Sequence, residues 1–508
     1  MQINSVSPKI SPSEKRIHKL ILVIGVLLAL GQYGYNRSIW LDEAMLTLNI
    51  VERGYMGLLQ PLDYWQVAPI LFLWMVKAGS QLIPNSEFGL RLFPMLCYFA
   101  SIWLFYKIVI RNLQTPLSRV VAISLFVINA SLIYYGSEVK QYICDILAFT
   151  TLIYLLWDGN RSYSSKVLWF GLCGVLFVPL SNVTPILWCT GGLYLLLEKK
   201  RSLPEWLQLV AGSLAVVAAF AVYYWFFIHN HPTRQYMQDF WSRERAFMPH
   251  DPTKYSFWFF WYEIIRQIFF SILRYKYLSV LMPVLTFMGI SHLVKRKKWS
   301  LLLLLIFPFV LHIGLSSVHQ YPAARRLMLY LSPGLILLGS LAFESNLLNR
   351  FANPQKKLAL LLVPAALLFM LPFIPYPVEH QEIKQSLAYY EQHKQPNDNL
   401  YIFHSAEYAY KLYQAIGKIP PNERSWFGSL DVNNIGLYAG ELSKNGGRTW
   451  MIACLNYMHE LDKIAAAMEA GGAKLVQVHK VEGSSIYLFD IPEGFVVPAD
   501  ADKPKTKP

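Results

Sequence analysis

Two adjacent carboxylates, Asp42 and Glu43, stand in the segment Arg37-Ser38-Ile39-Trp40-Leu41-Asp42-Glu43-Ala44, a few residues beyond the first strongly apolar run. Carboxylates just outside a hydrocarbon core are costly to hold near lipid, so they tend to be kept where they act. Such a pair can take a proton from a reacting hydroxyl or help to hold a divalent cation. The plainer use is as first-turn acids that favour a helix dipole. Trp40, two residues earlier, and the membrane-surface character of the loop that follows weigh toward chemistry.

Two further constellations carry charge where charge is unusual. Tyr134-Tyr135-Gly136-Ser137-Glu138-Val139-Lys140-Gln141-Tyr142 is a very short connection between apolar runs, and Asp145 lies one turn further, inside the second run. Glu138 and Lys140 alone read as solvated loop charges. Asp145 does not, because a carboxylate in a span costs about 2.5–3.5 kcal/mol on insertion scales. It is predicted to face the bundle interior and to pair with Lys140 or an Arg. The third segment, His319-Gln320-Tyr321-Pro322-Ala323-Ala324-Arg325-Arg326, precedes Ser332-Pro333-Gly334. Its two arginines fall on the side of the membrane that ordinarily avoids them. A guanidinium matches phosphate oxygens bidentately, which suggests an anionic ligand, with lipid-headgroup anchoring as the alternative. Arg91, after Glu87-Phe88-Gly89-Leu90, is open to either use. His229, His231 and His250 are scattered in the 229–276 loop, and no metal site is assigned.

The elements that must position these residues are set by composition. Of 508 residues, 54% are hydrophobic and 15% charged, and the mean hydropathy is +0.32. A soluble chain would carry about a quarter charged residues. Apolar runs recur between residues 20 and 374, as in a polytopic helical membrane protein, and the 30 Phe, 31 Tyr and 15 Trp suit interfacial belts. Spans are predicted at 18–34, 92–110, 120–135, 142–157, 167–180, 183–197, 207–228, 277–294, 300–316, 327–343 and 358–375. The run over 68–82 is too short to cross and is broken by Lys77, so 36–90 is read as one outer loop with membrane-surface helices.

Lys15, Arg16 and Lys19 place the N-terminus in the cytoplasm, and eleven spans then put Lys199-Lys200-Arg201, Lys295-Arg296-Lys297-Lys298 and Lys356-Lys357 on that side. Asp42, Glu138, the 229–276 and 317–326 loops and the C-terminal region converge on the opposite side. The net charge of +14 follows this topology, and nucleic acid is excluded as a partner. Five cysteines make neither a disulfide framework nor a metal-type pair. The first apolar run lacks a small-residue cleavage site and is read as a retained span.

Beyond residue 378 the pattern changes. Residues 399–404 and 449–454 read as strands, 406–416 and 458–470 as helices, and 474–479 with 485–490 as a closing hairpin around Glu482-Gly483-Ser484. The predicted domains are therefore 1–377, a membrane catalytic domain; 378–498, an extracytoplasmic α/β domain; and 499–508, a disordered tail.

Trp40-Leu41-Asp42-Glu43-Ala44, Gln66-Val67-Ala68-Pro69-Ile70-Leu71, Glu87 through Arg91-Leu92, and Ser137-Glu138-Val139-Lys140-Gln141-Tyr142 occur in this order. Together they resemble the GT-C glycosyltransferase superfamily, specifically the bacterial relatives of protein O-mannosyltransferases (glycosyltransferase family 39) and aminoarabinose transferases. The resemblance covers residues 36–145 well and 319–334 more weakly. The fold it implies is an all-α polytopic membrane bundle of about eleven spans, with a small C-terminal α/β domain beside it.

The implied activity is transfer of a sugar from a polyprenyl-phosphate donor to a lipid, glycan or protein acceptor outside the cytoplasm, in a bacterial inner membrane. The acid matching Asp42 is the family's catalytic carboxylate. With Asp42 as base, Glu43 would orient it or help to hold a divalent cation, and no other cofactor is implied. Lys140, Arg325 and Arg326 become phosphate candidates. Glu138, Gln141, Tyr142, Asp145, Arg91 and Tyr321 complete the expected binding residues. Lys140 departs from the Arg of many relatives, and a lysine neutralises phosphate as a point charge without the bidentate fork. Two rivals are an O-antigen-type ligase or polymerase, which relies more on outer-loop Arg and His, and a non-catalytic flippase, which would place polar groups near mid-membrane.

Overall fold

The computed structural model describes residues 10–198, 202–229, 231–273, 281–345, 377–431 and 434–498. The predicted span 358–375, the clusters Lys199-Lys200-Arg201 and Lys356-Lys357, and the tail 499–508 lie outside them. The chain divides into two compact units. One comprises Met1–Gly34, Tyr55–Gly79 and Arg91–Tyr376, and the other comprises Tyr35–Gly54, Ser80–Leu90 and Pro377–Pro508. The segment that carries Asp42 and Glu43 thus clusters with the C-terminal residues.

In chain order the helices up to residue 345 are α1 (Pro12–Tyr35), α2 (Leu41–Glu52), α3 (Ile70–Leu82), α4 (Glu87–Asn112), α5 (Pro116–Val127), α6 (Ala130–Gly136), α7 (Tyr142–Leu156) and α8 (Tyr163–Phe177). They continue with α9 (Thr184–Glu198), α10 (Leu203–Tyr223), α11 (Arg234–Arg243), α12 (Tyr255–Leu273), α13 (Leu281–Lys295), α14 (Trp299–Ser317) and α15 (Ser332–Leu341). Among the described residues four helices are long and apolar enough to cross a bilayer singly: α1, α4, α10 with its π-helical extension to His229, and α14. Leu207, Leu214 and Val217 of α10 are exposed, as lipid-facing side chains are. α7 and α15 are instead buried almost all round, as helices in the middle of a bundle must be.

The predicted span 120–135 is two helices, α5 and α6, bent by 44°. Asn129 makes the break. Its side-chain oxygen accepts from the backbone N–H of Ser131 at 2.9 Å and of Leu132 at 3.2 Å, restarting the chain as a capped helix. α3 has 13 residues and is about 20 Å long, one of several short apolar helices. α1 is tied to α5 by a buried bidentate pair, Arg119 Nε to Glu14 Oε1 at 2.5 Å and Nη2 to Oε2 at 3.1 Å.

Packing between α13 and α15 depends on Gly289, where a Cβ would overlap the Leu338 carbonyl. Small residues permit such backbone approach within membranes. Gly289→Ala is expected to destabilise the protein by about 1–3 kcal/mol, since an added methyl must push the two backbones apart. The measurement is the unfolding temperature in detergent, with Gly314→Ala as control because no atom lies within 4 Å of a Cβ there.

In the second unit the remaining helices are α16 (Ile383–His393), α17 (His404–Ala415), α18 (Ile435–Leu442) and α19 (Glu460–Ala470). The strands are β1 (Asn399–Ile402), β2 (Ser425–Phe427), β3 (Gly447–Cys454), β4 (Lys474–Val481) and β5 (Ser484–Ile491), in the order β2-β1-β3-β5-β4. β1 runs parallel to β2 and β3, while β5 is antiparallel to β3 and β4. The expected strands, two expected helices and closing hairpin are all present; β2, α16 and α18 are additions. Tyr401, Phe403, Tyr438, Met451, Ile464 and Phe489 centre the core on one face of the sheet. α17 also packs against α2.

Candidate active site

In the second unit the chain leaves α1 at Asn36, whose φ of +50° turns it sharply, and runs extended to Trp40 before α2 begins. Asp42 and Glu43 occupy the first turn, and successive helical positions point about 100° apart. Their surroundings differ accordingly. Asp42 is half-buried, whereas Glu43 is fully buried with Oε2 3.1 Å from Nη1 of Arg37, itself 1% exposed. The same Arg37 nitrogen donates to the Ser38 carbonyl at 3.1 Å, so the pair also fixes the loop. Of the two acids, Asp42 is the one left toward the surface.

Trp40 stacks on His380, with ring centroids 4.6 Å apart and planes 10° from parallel. Burial and then the Arg37 charge push the His380 pKa below its ordinary value. A divalent cation at Asp42 and Glu43 would have to compete with Arg37 for Glu43. Among the described residues no three His, Cys, Asp or Glu side chains gather to hold a metal.

In the first unit the short connection between α6 and α7 is buried: Glu138 is 1%, Lys140 5% and Gln141 6% exposed. These are not solvated loop charges. Lys140 Nζ donates to Gln66 Oε1 at 2.8 Å, joining two of the sequence motifs across 74 residues. Arg326 lies over the rings of Tyr142 at 6.0 Å and Trp241 at 5.3 Å, so a guanidinium is brought to the α7 N-terminus. Tyr321 meets His312 edge to face at 5.0 Å. Arg91 is 1% exposed, and its charge lies near Tyr33.

The predicted pairing of Asp145 needs correction. It does face the interior, at 3% exposure, but its carboxylate accepts from Ser181 Oγ at 2.6 Å and from the N–H groups of Asn182 and Val183. Backbone N–H groups at the approach to α9 supply the positive dipoles that Lys140 or an Arg was expected to bring. The 317–326 and 229–276 loops do converge. The N–H of Ala323 donates to the Ala246 carbonyl at 2.7 Å. Trp241, Arg245, Phe247, His250 and His319 line a cavity of about 780 Å³ there.

Asp42 and Glu43 belong to one unit, and Arg91, Glu138, Lys140, Gln141, Tyr142, Asp145, Tyr321, Arg325 and Arg326 to the other. Sequence reasoning gave no role to Arg37, Gln66 or Trp241. Arg37 and Gln66 stood inside the quoted motifs, which was the available signal; Trp241 carried none.

No protein-family model matches the sequence, and no curated protein matches it. Solved structures do. ArnT from Cupriavidus metallidurans in the apo state superposes with a TM-score of 0.55 at 11% identity, covering 94% of this chain and 98% of that one. The same protein bound to undecaprenyl phosphate gives a TM-score of 0.54 at 11% identity, with equal coverage. At that identity the likeness speaks to the fold alone. With Trp40-Leu41-Asp42-Glu43-Ala44 opening α2 and Tyr142 opening α7, the chain has the fold of the ArnT structures.

Proposed function

We propose that this chain is a multi-pass inner-membrane glycosyltransferase. It moves a sugar from a polyprenyl-phosphate donor to an acceptor on the extracytoplasmic side, and Asp42 is its general base. The observation that carries the reading is the divergence of the two adjacent acids: Glu43 is committed to Arg37, and Asp42 is not buried with it. That the ArnT structure of the same fold holds undecaprenyl phosphate supports a polyprenyl-phosphate donor.

The reaction is one displacement. The acceptor oxygen bonds to the anomeric carbon as the bond from that carbon to the phosphate oxygen breaks, and the acceptor proton passes to the Asp42 carboxylate. Polyprenyl phosphate leaves with the bonding pair. A single displacement inverts the anomeric configuration. Lys140, Arg325 and Arg326 take the charge that grows on the leaving phosphate, without proton transfer. Buried and held by Gln66, Lys140 is preorganised for that role. Arg326 is oriented by the faces of Tyr142 and Trp241. In this topology the N-terminus is cytoplasmic and the C-terminal unit is outside.

The test uses purified protein with a polyprenyl-phosphate-linked sugar. Arg325→Ala with Arg326→Ala, and separately Lys140→Ala, should weaken donor use about tenfold or more, as loss of a hydrogen bond to a charged group commonly does. Lys140→Arg should retain activity, because it keeps the charge and adds the bidentate fork. Unchanged donor KM in the double arginine variant would reassign those residues to lipid anchoring. Chelator treatment in the same assay decides the cation question: loss of transfer that Mg²⁺ or Mn²⁺ restores would mean that a metal displaces Arg37 from Glu43.

A further inference from the structure

We propose that the C-terminal residues are part of the catalytic machinery by position: Gln381, Glu382 and Tyr413 hold the Asp42 loop in register. This inference rests on the assignment of Asp42 as base. The physical need arises at the start of α2. The first N–H groups of a helix lack partners within it, and a side chain at the cap position ordinarily supplies one. Here that position is Trp40, which makes no side-chain cap.

The missing acceptors come from 340 to 374 residues away. The N–H of Leu41 donates to Gln381 Oε1 at 3.0 Å. Just before it, the N–H of Ser38 donates to Glu382 Oε2 at 3.0 Å and that of Ile39 to the Tyr413 hydroxyl at 2.9 Å. In return the N–H of Lys384 donates to Ser38 Oγ at 3.1 Å. Three backbone N–H groups within four residues are thus satisfied by side chains of the C-terminal segment, directly ahead of the base. His380 adds the stacking against Trp40.

The acceptors are themselves fixed by the sheet. The Glu382 N–H donates to the Glu482 carbonyl at 2.9 Å. Gly483, at the β4–β5 turn with φ +62°, leaves room for the His380 carbonyl that any Cβ would fill. Ser386 bonds to Ser484 at 2.8 Å. Tyr413 is 1% exposed and lies on α17, the helix packed against α2. A base must sit within hydrogen-bond reach of the hydroxyl it deprotonates. Contacts to backbone atoms at 38, 39 and 41 therefore set where the Asp42 carboxylate stands, whatever the intervening side chains.

The experiment uses the full-length protein with Gln381→Ala, Tyr413→Phe and the pair Glu382→Gln and Glu382→Leu. Misplacing a reacting group by about 1 Å can cost on the order of 100-fold, so kcat is expected to fall about 10- to 100-fold. Donor KM and the unfolding temperature of Tyr413→Phe should stay near wild type, which loss of folding alone would not give. Glu382→Gln keeps the accepting oxygen and should retain most of kcat, whereas Glu382→Leu should not. In an Asp42→Asn background the same substitutions should cause no further loss. Near-wild-type kcat in Gln381→Ala and Tyr413→Phe, with Asp42→Asn inactive, would overturn the proposal and leave the base assignment standing. If Asp42→Asn stays active, the base assignment is what has failed, and hydrogen exchange decides the positioning alone. Faster exchange of the 37–44 amides in Gln381→Ala then supports it, and unchanged exchange overturns it.

Discussion

Asp42→Asn is expected to abolish sugar transfer while donor binding persists. The amide keeps the size of the carboxylate and much of its hydrogen bonding, so the half-buried first turn of α2 should stay folded. What it loses is the capacity to take a proton. Removal of a general base costs about 10²–10⁴-fold. The loss should appear in kcat with donor KM little changed, because the phosphate candidates are other residues. Glu43→Gln should behave differently. It removes a charge from a buried ion pair with Arg37, so its first effect is on folding and its effect on turnover follows from that. Near-wild-type turnover of Asp42→Asn with a purified donor would return the motif to a helix-capping role. If His319→Ala were then inactive, the ligase reading would take its place, since His319 lines the cavity beside Trp241 and Arg245, its ring 4.7 Å from that of Phe247.

How much of this was legible in the sequence depends on distance along the chain. α1, α4 and α14 could be read because each is a helix of 19 to 26 residues built around a long, strongly apolar stretch. The α5–α6 bend could not, because a single Asn129 in an apolar window is a tolerated polar residue until its oxygen is seen to cap a new helix. β1, β3 and β5 are buried strands with apolar runs; β2 is a three-residue edge strand, too short for any alternation to show. Within the site, Asp42 and Glu43 were legible as acids. That one of them is neutralised was not, since an Arg six residues earlier across a helix start follows no helical spacing. The partners of Asp145 were misjudged for a related reason: a backbone N–H carries no residue type, so only a cation was available to the sequence argument. The link from Leu41 to Gln381 spans 340 residues and leaves no mark on either segment.

Arg37→Ala is expected to be among the most damaging single changes outside the reacting groups. Arg37 is 1% exposed and Glu43 not at all, so truncating one partner leaves a buried carboxylate beside the space. Breaking a buried pair in this way costs about 3–5 kcal/mol, whereas replacing both partners by apolar residues of similar volume is often neutral. Arg37→Met combined with Glu43→Met should therefore regain most of the stability that either single change loses, measured as thermal unfolding in detergent.

His380 supplies an independent signature. Burial and the Arg37 charge lower its pKa, while the charge of Glu43 opposes that shift. In the wild type the unfolded chain binds a proton at His380 more readily than the folded one. The contribution of the neutral ring is therefore present above the ordinary imidazole pKa of about 6.5 and declines as pH falls below it toward the lower folded value. Arg37→Ala removes one cause of the depression and leaves the Glu43 charge beside the ring. Its deficit relative to wild type should narrow as pH is lowered below about 6.5, as the imidazolium takes over part of the lost charge. A deficit that is small and flat with pH would mean that the Arg37–Glu43 pair does not hold the loop, and that Asp42 is set in place by the C-terminal contacts alone.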